Sequence, residues 1–400
     1  IIGAVGSTGR ATGPHLHYGL QKNGDLLAAR LGVRPVLRRI ADIDLKTDRG
    51  VKVDRSILTR DAMSVIRDPA IDVIVELIGG TRIAREFTQQ ALSLGKPVVT
   101  ANKALLAEHG AELFGLAAEH KTNIWFEASV GGGIPIIRSL REGLVANRIS
   151  GIYGILNGTC NYILTRMEKE NLPFEVVLKA AQAEGYAEAD PGLDIDGFDT
   201  AHKAVVLASL AYGFPVPMKA VSVEGIRGIA KADLDYALAL GYRLKLLAIV
   251  KNGPGGIEAR VQPTLLPVDH MLASVSGVYN AILVEGDVVG RTLYYGRGAG
   301  RYPTASAVLS DIADVARSLA FGGLNTIPAF GQRRHAQKFR DRGEIGTRYY
   351  LRVTLLDKPG VLGKLATILG RHHVSIASVL QKEMLAGKHV PVVILTHRAR

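Results

Sequence analysis

The stretch DVIVELIGGTRIAREFTQQALSLGKPVVTANKALL, residues 72–106, decides the predicted fold, because it alternates short apolar runs with helical patterns. The runs at 72–79 and 96–102 are rich in β-branched residues and are typical of buried parallel strands. The segments at 83–95 and from Lys103 onward have helical spacing. Strand, helix, strand, helix predicts an α/β domain built on a doubly wound parallel sheet.

Two further runs extend the sheet, PVLRRIAD (35–42) before this stretch and NIWFEASV (123–130) after it. Ligands of such sheets bind beyond the carboxyl ends of the strands. We therefore expect a site made by the loops that follow the strands, which are GGTR (79–82), ANK (101–103) and SVGGGIP (129–135).

The pattern changes after residue 150, where ISGIYGIL (149–156) and RLKLLAIV (243–250) predict more widely spaced strands and so a second, α+β domain. An amphipathic helix is predicted at 304–320, followed by a polar, basic linker at 328–347. From Tyr349 the chain predicts a small βαβ-β unit without a closing helix and strand.

Composition excludes several classes of protein. The formal charge of +12 comes from scattered basic residues without a nucleic-acid-binding motif, so we expect no nucleic-acid partner. No apolar run reaches membrane-spanning length and no signal peptide is recognisable, so we expect no membrane partner. A single cysteine, Cys160, excludes an internal disulfide and fits a reducing, cytoplasmic compartment.

The densest polar cluster is AEGYAEADPGLDIDGFDTAHK, residues 183–203. Asp199 and Lys203 are four residues apart and share one helix face, and the helix continues as the apolar AVVLASLA. A buried ammonium group needs a carboxylate partner or loses its proton, which is the condition for proton transfer near neutral pH. A capped helix with a routine ion pair, or an acidic metal site, would give the same pattern.

Three other segments carry candidate chemistry. Lys103 follows a strand at a helix start and is predicted to face the crevice, although a solvent-exposed lysine there is the plainer alternative. In EASVGGGIP (127–135), Glu127 and nearby carbonyl groups could hold a hard cation, or the glycines could simply make a tight interdomain turn. GRGAGRYPTA (296–305) is a glycine-rich helix start suited to a phosphate.

From about Asn23 to Arg400 the chain resembles homoserine dehydrogenase of the form with a carboxyl-terminal ACT domain. The most specific match is A-x3-G-Y-A-x2-D-P-x2-D-I-x-G-x-D-x3-K, which runs from Ala181 to Lys203 without a gap. DKPGVLGKLATIL (357–369) resembles the start of an ACT domain. Other segments match in the family's order: ELIGG (76–80), TANKALL (100–106), FEASVGGGIPII (126–137) and LNGTCNYILTRM (156–167).

The resemblance implies interconversion of L-homoserine and L-aspartate 4-semialdehyde with NAD or NADP, within threonine, methionine and isoleucine biosynthesis. It implies that Lys203 is the proton donor, that Lys103 contacts cofactor and substrate and shares the proton transfer, and that Glu188 and Asp199 bind the substrate amino group. Further cofactor contacts are expected at Gly80, Gly185 and Gly300. A sodium-type site is expected from Glu127 and the carbonyls of Val130, Gly132 and Ile134.

The resemblance also implies a domain plan and partners. Threonine is the expected effector, bound near Gly360, and the expected assembly is a homo-oligomer, dimer or tetramer, formed through the middle domain. The implied domains are a Rossmann-like NAD(P)-binding domain (23–130), a catalytic and dimerisation domain (131–303), a returning helix (304–327), a linker (328–347) and a truncated ACT domain (348–400).

Residues 1–22 do not contain the G-x-G-x-x-G turn of that family, and we expect them not to form its first strand and long helix. The stretch VGSTGRATGPHLHYGLQKNG (5–24) instead resembles the end of a lysostaphin-type zinc endopeptidase, in which His17 would be a zinc ligand and His15 its catalytic partner. Two histidines do not complete a zinc site. We therefore expect a peptidase-like segment in place of the phosphate loop and weakened NAD(P) binding, with a divergent cofactor loop as the alternative.

Cofactor choice and function leave alternatives open. Asp42 or Asp44 would suit the ribose hydroxyl of NAD, whereas a 2′-phosphate could be met by a basic group comprising Arg38, Arg39, Lys46 and Arg49. A catalytically impaired amino-acid-sensing protein is the second functional hypothesis, and a zinc peptidase remnant is the third.

Overall fold

The computed structural model describes residues 2–5, 13–47, 52–322, 338–381 and 389–400, with side chains from Leu20 onward except Gln21. The strands form three sheets, of six, six and three strands. The first sheet is parallel, and its strand order reverses at β1. It runs in the order β3-β2-β1-β4-β5-β6, with β1 (Ile2–Val5), β2 (Leu37–Ala41), β3 (Leu58–Thr59), β4 (Val73–Glu76), β5 (Val98–Thr100) and β6 (Ile124–Trp125).

Helices connect these strands, as the sequence predicts, and the doubly wound α/β class is confirmed. Parallel β4 and β5 pair in register, with Ile74 opposite Val98 and Glu76 opposite Thr100. A ligand crevice is expected beside the point where the strand order reverses. The helices are α1 (Gly13–Leu31), α2 (Ala62–Arg67), α3 (Arg82–Ser93) and α4 (Lys103–Glu119).

The expectation that the first residues would not form a strand and helix is wrong. Ile2–Val5 pairs on both sides, with β2 and with β4, and therefore occupies the centre of the sheet. Pro14 is tolerated in the first turn of α1, because the N–H groups of a first turn have no partner within the helix. Residues 6–12 and the side chains of His15 and His17 lie outside the described part, so a zinc site at these two histidines is not tested.

The second sheet is mixed and lies in the order β12-β11-β7-β9-β10-β8. Its strands are β7 (Ile149–Ile155), β8 (Ser222–Val223), β9 (Tyr242–Gly253), β10 (Gly256–Pro267), β11 (Tyr279–Gly286) and β12 (Gly290–Arg297). The accompanying helices are α5 (Ile136–Arg138), α6 (Gly158–Glu170), α7 (Phe174–Ala183), α8 (Gly192–Ile195), α9 (Phe198–Tyr212) and α10 (Lys231–Ala239).

Helix α9 is the element that joins the two units. It packs against α4 of the first unit and against β7, β9 and β10 of the second. Residues 203–209 of this helix are buried, which explains why the helix has almost no polar residue after its first two turns. The buried side chains include Val205, Val206 and Leu207.

The chain then returns to the first unit and ends in a separate small unit. Helix α11 (Arg301–Phe321) packs against α1 and β5. The last unit is a three-stranded antiparallel sheet in the order β13-β15-β14, with the predicted helix on it. Its elements are β13 (Tyr350–Leu356), α12 (Val361–Arg371), β14 (Ile376–Gln381) and β15 (His389–Thr396).

The described part of the predicted linker is docked against the second sheet. The backbone of Ile257 accepts a hydrogen bond from the Arg340 amide at 2.8 Å and donates one to the Lys338 carbonyl at 2.9 Å. Residues 323–337 lie outside the described part. Because β10 pairs with the short strand β8 only at Arg260 and Val261, its backbone at Ile257 needs other partners, and residues 338–340 supply them.

Candidate active site

A cleft of about 430 Å³ opens where the sequence predicts it, beyond the carboxyl ends of β4 and β5. The first unit contributes the glycine turn 79–80 and residues 101–104 to its wall. The second unit contributes the acidic loop, including Glu188 and Asp194, and the start of α9. The cleft therefore lies between the two units and is lined by both predicted lysine-bearing segments.

Asp199 is the centre of the polar cluster in this cleft. Its Oδ2 atom lies 2.7 Å from Nζ of Lys203, and its Oδ1 atom lies 3.1 Å from Nζ of Lys103. Asp199 and Lys203 are each 8% exposed, whereas the side chain of Lys103 is 36% exposed. The predicted burial of Lys203 beside a carboxylate is confirmed.

The chain positions these lysines by local structure. Asp199 and Lys203 are one turn apart on α9, so their side chains meet on one face. Lys103 is the first residue of α4, and the side chain of Asn102 caps that helix by accepting a hydrogen bond from the Leu105 amide at 3.0 Å. The sharp start of α4 therefore holds Lys103 at the rim of the cleft.

A second carboxylate and an asparagine complete the cluster. The Asn157 amide donates to Asp199 Oδ2 at 2.8 Å and to Asp194 Oδ1 at 2.7 Å. Lys203 also donates to the backbone carbonyl of Leu156 at 2.7 Å. The junction between β7 and α6 thus fixes both Asp199 and Lys203, because each is hydrogen-bonded from that side.

The titration of these groups follows from their packing. Burial alone would raise the pKa of Asp199, but the ammonium groups of Lys203 and Lys103 hold that pKa below its usual range. Asp199 raises the pKa of Lys103, with smaller contributions from Asp194 and Glu188. Burial, followed by the charge of Asp199, raises the pKa of Asp194. The cluster therefore favours a charged Asp199 between two ammonium groups.

Glu188 lines the same cleft but is exposed, so it is available to a cationic group of a ligand. The Gln182 side chain donates to the carbonyls of Glu188 and Ala189, at 3.0 and 3.2 Å, and holds this part of the loop. The predicted Glu188, Asp199 and Lys103 therefore line one cleft, whereas Lys203 does not line it and joins the cluster through its contact with Asp199.

A buried hydrogen-bond chain supports the floor of the cleft. Glu76 is 1% exposed; it accepts from the Thr100 hydroxyl at 2.6 Å and from the Ile78 amide at 2.7 Å. Thr100 in turn accepts from the Asn102 amide at 2.9 Å. Burial raises the pKa of Glu76. The chain ties the ends of β4 and β5 to the residue that precedes Lys103.

The predicted cofactor glycines differ in position. Gly80 has a left-handed backbone with φ of 67°, lines the cleft, and faces open space where a Cβ would stand. Its carbonyl accepts from the Asn102 side chain at 2.7 Å. Gly300 precedes α11 and accepts from the Thr304 amide at 3.0 Å, and Thr304 lines the cleft. Gly185 and Gly300 themselves do not line the cleft.

The residues of the predicted cation loop do not line the cleft. Glu127 is 4% exposed, and its two carboxylate oxygens accept from the amides of Ile137 and Arg138 at 2.9 and 2.8 Å. Gly132 has φ of 55°, and a Cβ there would meet the Gly298 carbonyl at 2.5 Å. Val130 and Ile134 are buried in the same loop. No cluster of three or more His, Cys, Asp or Glu side chains suited to a metal occurs in the described ranges.

The acidic residues predicted to bind the cofactor ribose accept hydrogen bonds from neighbouring backbone amides. Asp42, at the end of β2, accepts from the Asp44 amide at 2.9 Å, and Asp44 accepts from the amides of Lys46 and Thr47. Arg39 donates to the Ser56 carbonyl at 3.0 Å. Nε of Arg38 lies 3.9 Å from Asp68. Arg49 lies outside the described residues.

Sequence reasoning missed several residues of the cleft. His202 lines it, and burial lowers the pKa of its imidazole. Asn157 caps α6 by accepting a hydrogen bond from the Cys160 amide at 2.7 Å, and because a cap favours this residue type, the sequence does not reveal its contact with the cluster. The Glu76–Thr100 pair carried no signal beyond its position at two adjacent strand ends, which becomes informative once the strand register is known.

Family models match three parts of the chain. The model described as homoserine dehydrogenase matches residues 135–313, and that described as homoserine dehydrogenase, NAD binding domain, matches 13–127. A model described as ACT domain matches 349–400. The second match begins at the start of α1 and so includes part of the segment that resembles a peptidase. Among the helices the structure describes, none is long and apolar enough to cross a bilayer.

Individual relatives agree with the models. A homoserine dehydrogenase of Neisseria gonorrhoeae is 46% identical over 382 residues, which cover 94% of this chain and 87% of the relative. The solved structure of a homoserine dehydrogenase from Thiobacillus denitrificans has a TM-score of 0.92 and 42% identity, covering 100% of this chain and 91% of that one.

A more distantly related protein was solved together with a nicotinamide cofactor. It is a hyperthermophilic archaeal homoserine dehydrogenase in complex with NADPH, with a TM-score of 0.67 and 28% identity, covering 81% of this chain and 99% of that chain. The cleft and its lysine–carboxylate cluster lie within the parts that the first two family models match. Together, the matched models and the extent of these likenesses show that the chain belongs to the homoserine dehydrogenase family.

Proposed function

We propose that this chain interconverts L-homoserine and L-aspartate 4-semialdehyde with a nicotinamide nucleotide, NADP or NAD. The observation that carries the proposal is the buried pair of Lys203 and Asp199, of which Asp199 lines a cleft between the dinucleotide-type sheet and the second unit. When bound, the nicotinamide ring supplies the acceptor for the hydride that leaves C4 of homoserine. The hydroxyl proton of the same carbon must go to a protein group.

Lys203 is the proposed proton-transfer group. In the reductive direction the ammonium form of Lys203, which contacts Asp199 at 2.7 Å, would donate a proton to the carbonyl oxygen. In the oxidative direction its neutral amine would accept the hydroxyl proton. We propose that Lys103, whose Nζ lies 3.1 Å from Asp199, shares that proton transfer or orients the substrate oxygen.

Glu188 and Asp199 are the proposed partners of the substrate amino group. Glu188 is exposed in the cleft, and Asp199 already balances two ammonium groups. A third ammonium group, from the substrate, would therefore be bound mainly by Glu188 and share the remaining acceptor capacity of Asp199. This arrangement selects an alcohol that also carries a positive charge, which matches an amino acid.

The residues present fit a dinucleotide. The strand order reverses at β1, beside the cleft, and the left-handed turn at Gly80 leaves open space beside the backbone. We propose Gly80, Gly185, Gly300 and Lys103 as cofactor contacts. Glu127 also fits a monovalent cation, because each carboxylate oxygen retains a lone pair after accepting one amide. Gly132 and its neighbours Val130 and Ile134 would supply carbonyl ligands to that cation.

The test is a homoserine-dependent rise in absorbance at the wavelength of reduced nicotinamide, measured for the parent and for Lys203→Ala. We expect a loss of about 10²- to 10⁴-fold in kcat, the contribution typical of general acid–base catalysis. Lys179→Ala, on the exposed surface of α7, is the matched control and should keep the parent rate. A Lys203→Ala variant that folds and turns over as fast as the parent would rule out the mechanism.

We propose that the C-terminal unit regulates the protein and that the unit of the second sheet mediates its assembly. The ACT-domain match implies binding of an amino-acid effector, and we propose threonine, held near Gly360 where α12 begins. We also propose a homo-oligomer formed through the middle domain, with domains at 23–130, 131–303 and 348–400. Threonine binding without any homoserine turnover would instead favour a regulatory protein that lacks catalysis.

We propose that the GPHLH motif, within residues 1–22, is the remnant of a zinc-peptidase tail. The zinc content of the purified protein tests this proposal separately. The fold of α1 and the NAD-binding match from residue 13 favour a role of this segment in the dinucleotide unit. Near-stoichiometric zinc in the purified protein, lost in His17→Ala, would support a retained metal site. Absence of zinc would leave only the likeness in sequence.

A further inference from the structure

A second cavity, of about 300 Å³, lies between the second sheet and the C-terminal unit, away from the cleft. Residues 260–265 of β10 form one wall, and residues 342–352 form the other. An adjoining lobe of about 330 Å³ shares Arg260, Gln262 and Arg348 with it. Neither lobe is lined by Gly360 or by the lysines of the cleft.

Two acidic residues of this cavity are fully engaged by its walls. The carboxylate of Asp233 accepts two hydrogen bonds from Arg352, at 2.6 and 3.2 Å, one from the Tyr350 hydroxyl at 2.8 Å and one from the Ala230 amide. Glu224 pairs with Arg342 at 3.1 Å. These contacts fasten the C-terminal unit to the second unit and leave no charge excess of their own.

The other charged side chains in and beside the cavity carry more positive than negative charge. Glu258, 5% exposed, is the carboxylate nearest to three cations, with Arg260 at 2.9 Å, Arg340 at 3.8 Å and Lys251 at 3.9 Å. Burial lowers the pKa of Lys251, and the charge of Arg260 lowers it further. In the described part of the chain, Arg348 donates to two uncharged oxygens, at 3.2 and 3.4 Å.

Arg260 has unused hydrogen-bonding capacity. It is 8% exposed, and although its Nε lies 2.9 Å from Glu258 Oε1, neither atom makes a well-directed hydrogen bond among the described residues. Its Nη1 donates to Gln262 at 3.3 Å. A buried guanidinium group whose Nε lacks a well-directed hydrogen bond is costly, and an anion that accepts from the guanidinium donors would offset that cost.

The shape of the cavity narrows the class of anion. Ile229, Leu244 and Leu265 line it beside the arginines, so one part of the space suits a carbon chain. We propose that this cavity binds a small organic carboxylate through Arg260 and Arg348, and that the ligand fastens the C-terminal unit to the second unit. Because the two walls come from different units, occupancy would change how firmly they dock.

The test uses the full chain and three carboxylate probes, succinate, glutarate and isovalerate, with inorganic phosphate as the comparison. We expect calorimetry to detect binding of at least one carboxylate, and hydrogen exchange to slow at residues 345–352 when it is bound. Arg348→Gln removes a charged donor and should weaken that binding about tenfold. Arg371→Gln, exposed on α12, removes the same charge elsewhere and should bind like the parent.

Each outcome of this experiment either supports or overturns the proposal. Arg348 is exposed, so its variant is expected to fold, and an unchanged Tm and basal dehydrogenase activity verify this. Binding that Arg348→Gln leaves unchanged, no binding of any carboxylate probe, or phosphate binding as tight as the best carboxylate would each overturn the proposal. Arg260→Gln gives an independent second loss of affinity if it also folds.

Discussion

Replacing Asp199 by Asn should both destabilise the protein and stop turnover, because it leaves two ammonium groups together without their shared carboxylate. The 2.7 Å contact of Asp199 with Lys203 corresponds to a Coulomb attraction of about 6 kcal/mol at an effective dielectric constant of about 20. Desolvation reduces the net value, and removing one partner of a buried pair typically costs about 3–5 kcal/mol. Lys103 is more exposed, so solvent screening makes its contribution smaller.

Thermal melting is the appropriate assay, because a chain with several units is not expected to unfold in two states. A loss of about 3–5 kcal/mol lowers the Tm of a unit of this size by about 6–20 °C. Asp196→Asn is the matched control: Asp196 lies in the same loop but pairs with Arg227 at the surface, at 2.8 Å. We expect its Tm to stay within about 2 °C of the parent.

The directions of the pKa shifts also predict how the stability lost in Asp199→Asn depends on pH. The pKa of Asp199 is lower in the folded state, so its contribution to stability is present above about pH 4 and is lost as the pH falls through the folded-state pKa. The pKa of Lys103 is raised, so its contribution is present below its ordinary value of 10.5 and is lost at higher pH. The difference in Tm between parent and Asp199→Asn should therefore be constant from pH 5 to 9. A variant that melts with the parent across this range and keeps its kcat would refute the reasoning.

Three further predictions concern the support of the cleft and the cofactor. Thr100→Val removes the hydroxyl that links Glu76 to Asn102 and should cost about 1–3 kcal/mol, seen as a lower Tm and a reduced kcat; Thr88→Val, whose buried hydroxyl makes no hydrogen bond among the described residues, should be neutral. Gly132→Ala places a Cβ 2.5 Å from the Gly298 carbonyl at a left-handed φ and should lower both Tm and activity, whereas Gly143→Ala, with open space around it, should not. Fluorescence titration with NADPH should show weakened binding, because residues 1–22 contain no G-x-G-x-x-G turn, and ordinary micromolar affinity would contradict this.

The sequence predicted the parallel sheet well, because its strands are short apolar runs separated by amphipathic helices, and this pattern depends on local spacing alone. It failed at Ile2–Val5, since four apolar residues followed by a glycine- and proline-rich stretch do not resemble a strand and helix by themselves. Their position at the centre of the sheet comes from pairing with β2 and β4, which are far away in sequence.

Some contacts of the candidate site were likewise predictable from local spacing, whereas others depend on tertiary packing. The four-residue spacing by itself places Asp199 and Lys203 on one helix face. The meeting of Lys103 with Asp199, 96 positions further along, required the packing of α4 against α9. Asn157 and the Leu156 carbonyl join the cluster only because β7 ends beside α9.

The amino-acid sequence by itself determined the α/β pattern and the pairing of an acidic and a basic side chain one turn apart, because both depend on residues close together in the chain. Only the tertiary structure decided that the first four-residue strand is central, that Lys103 joins the pair, and that arginines of two units enclose a second cavity. Those features depend on contacts between distant segments, whose geometry is set by the packing of the whole core rather than by local preference.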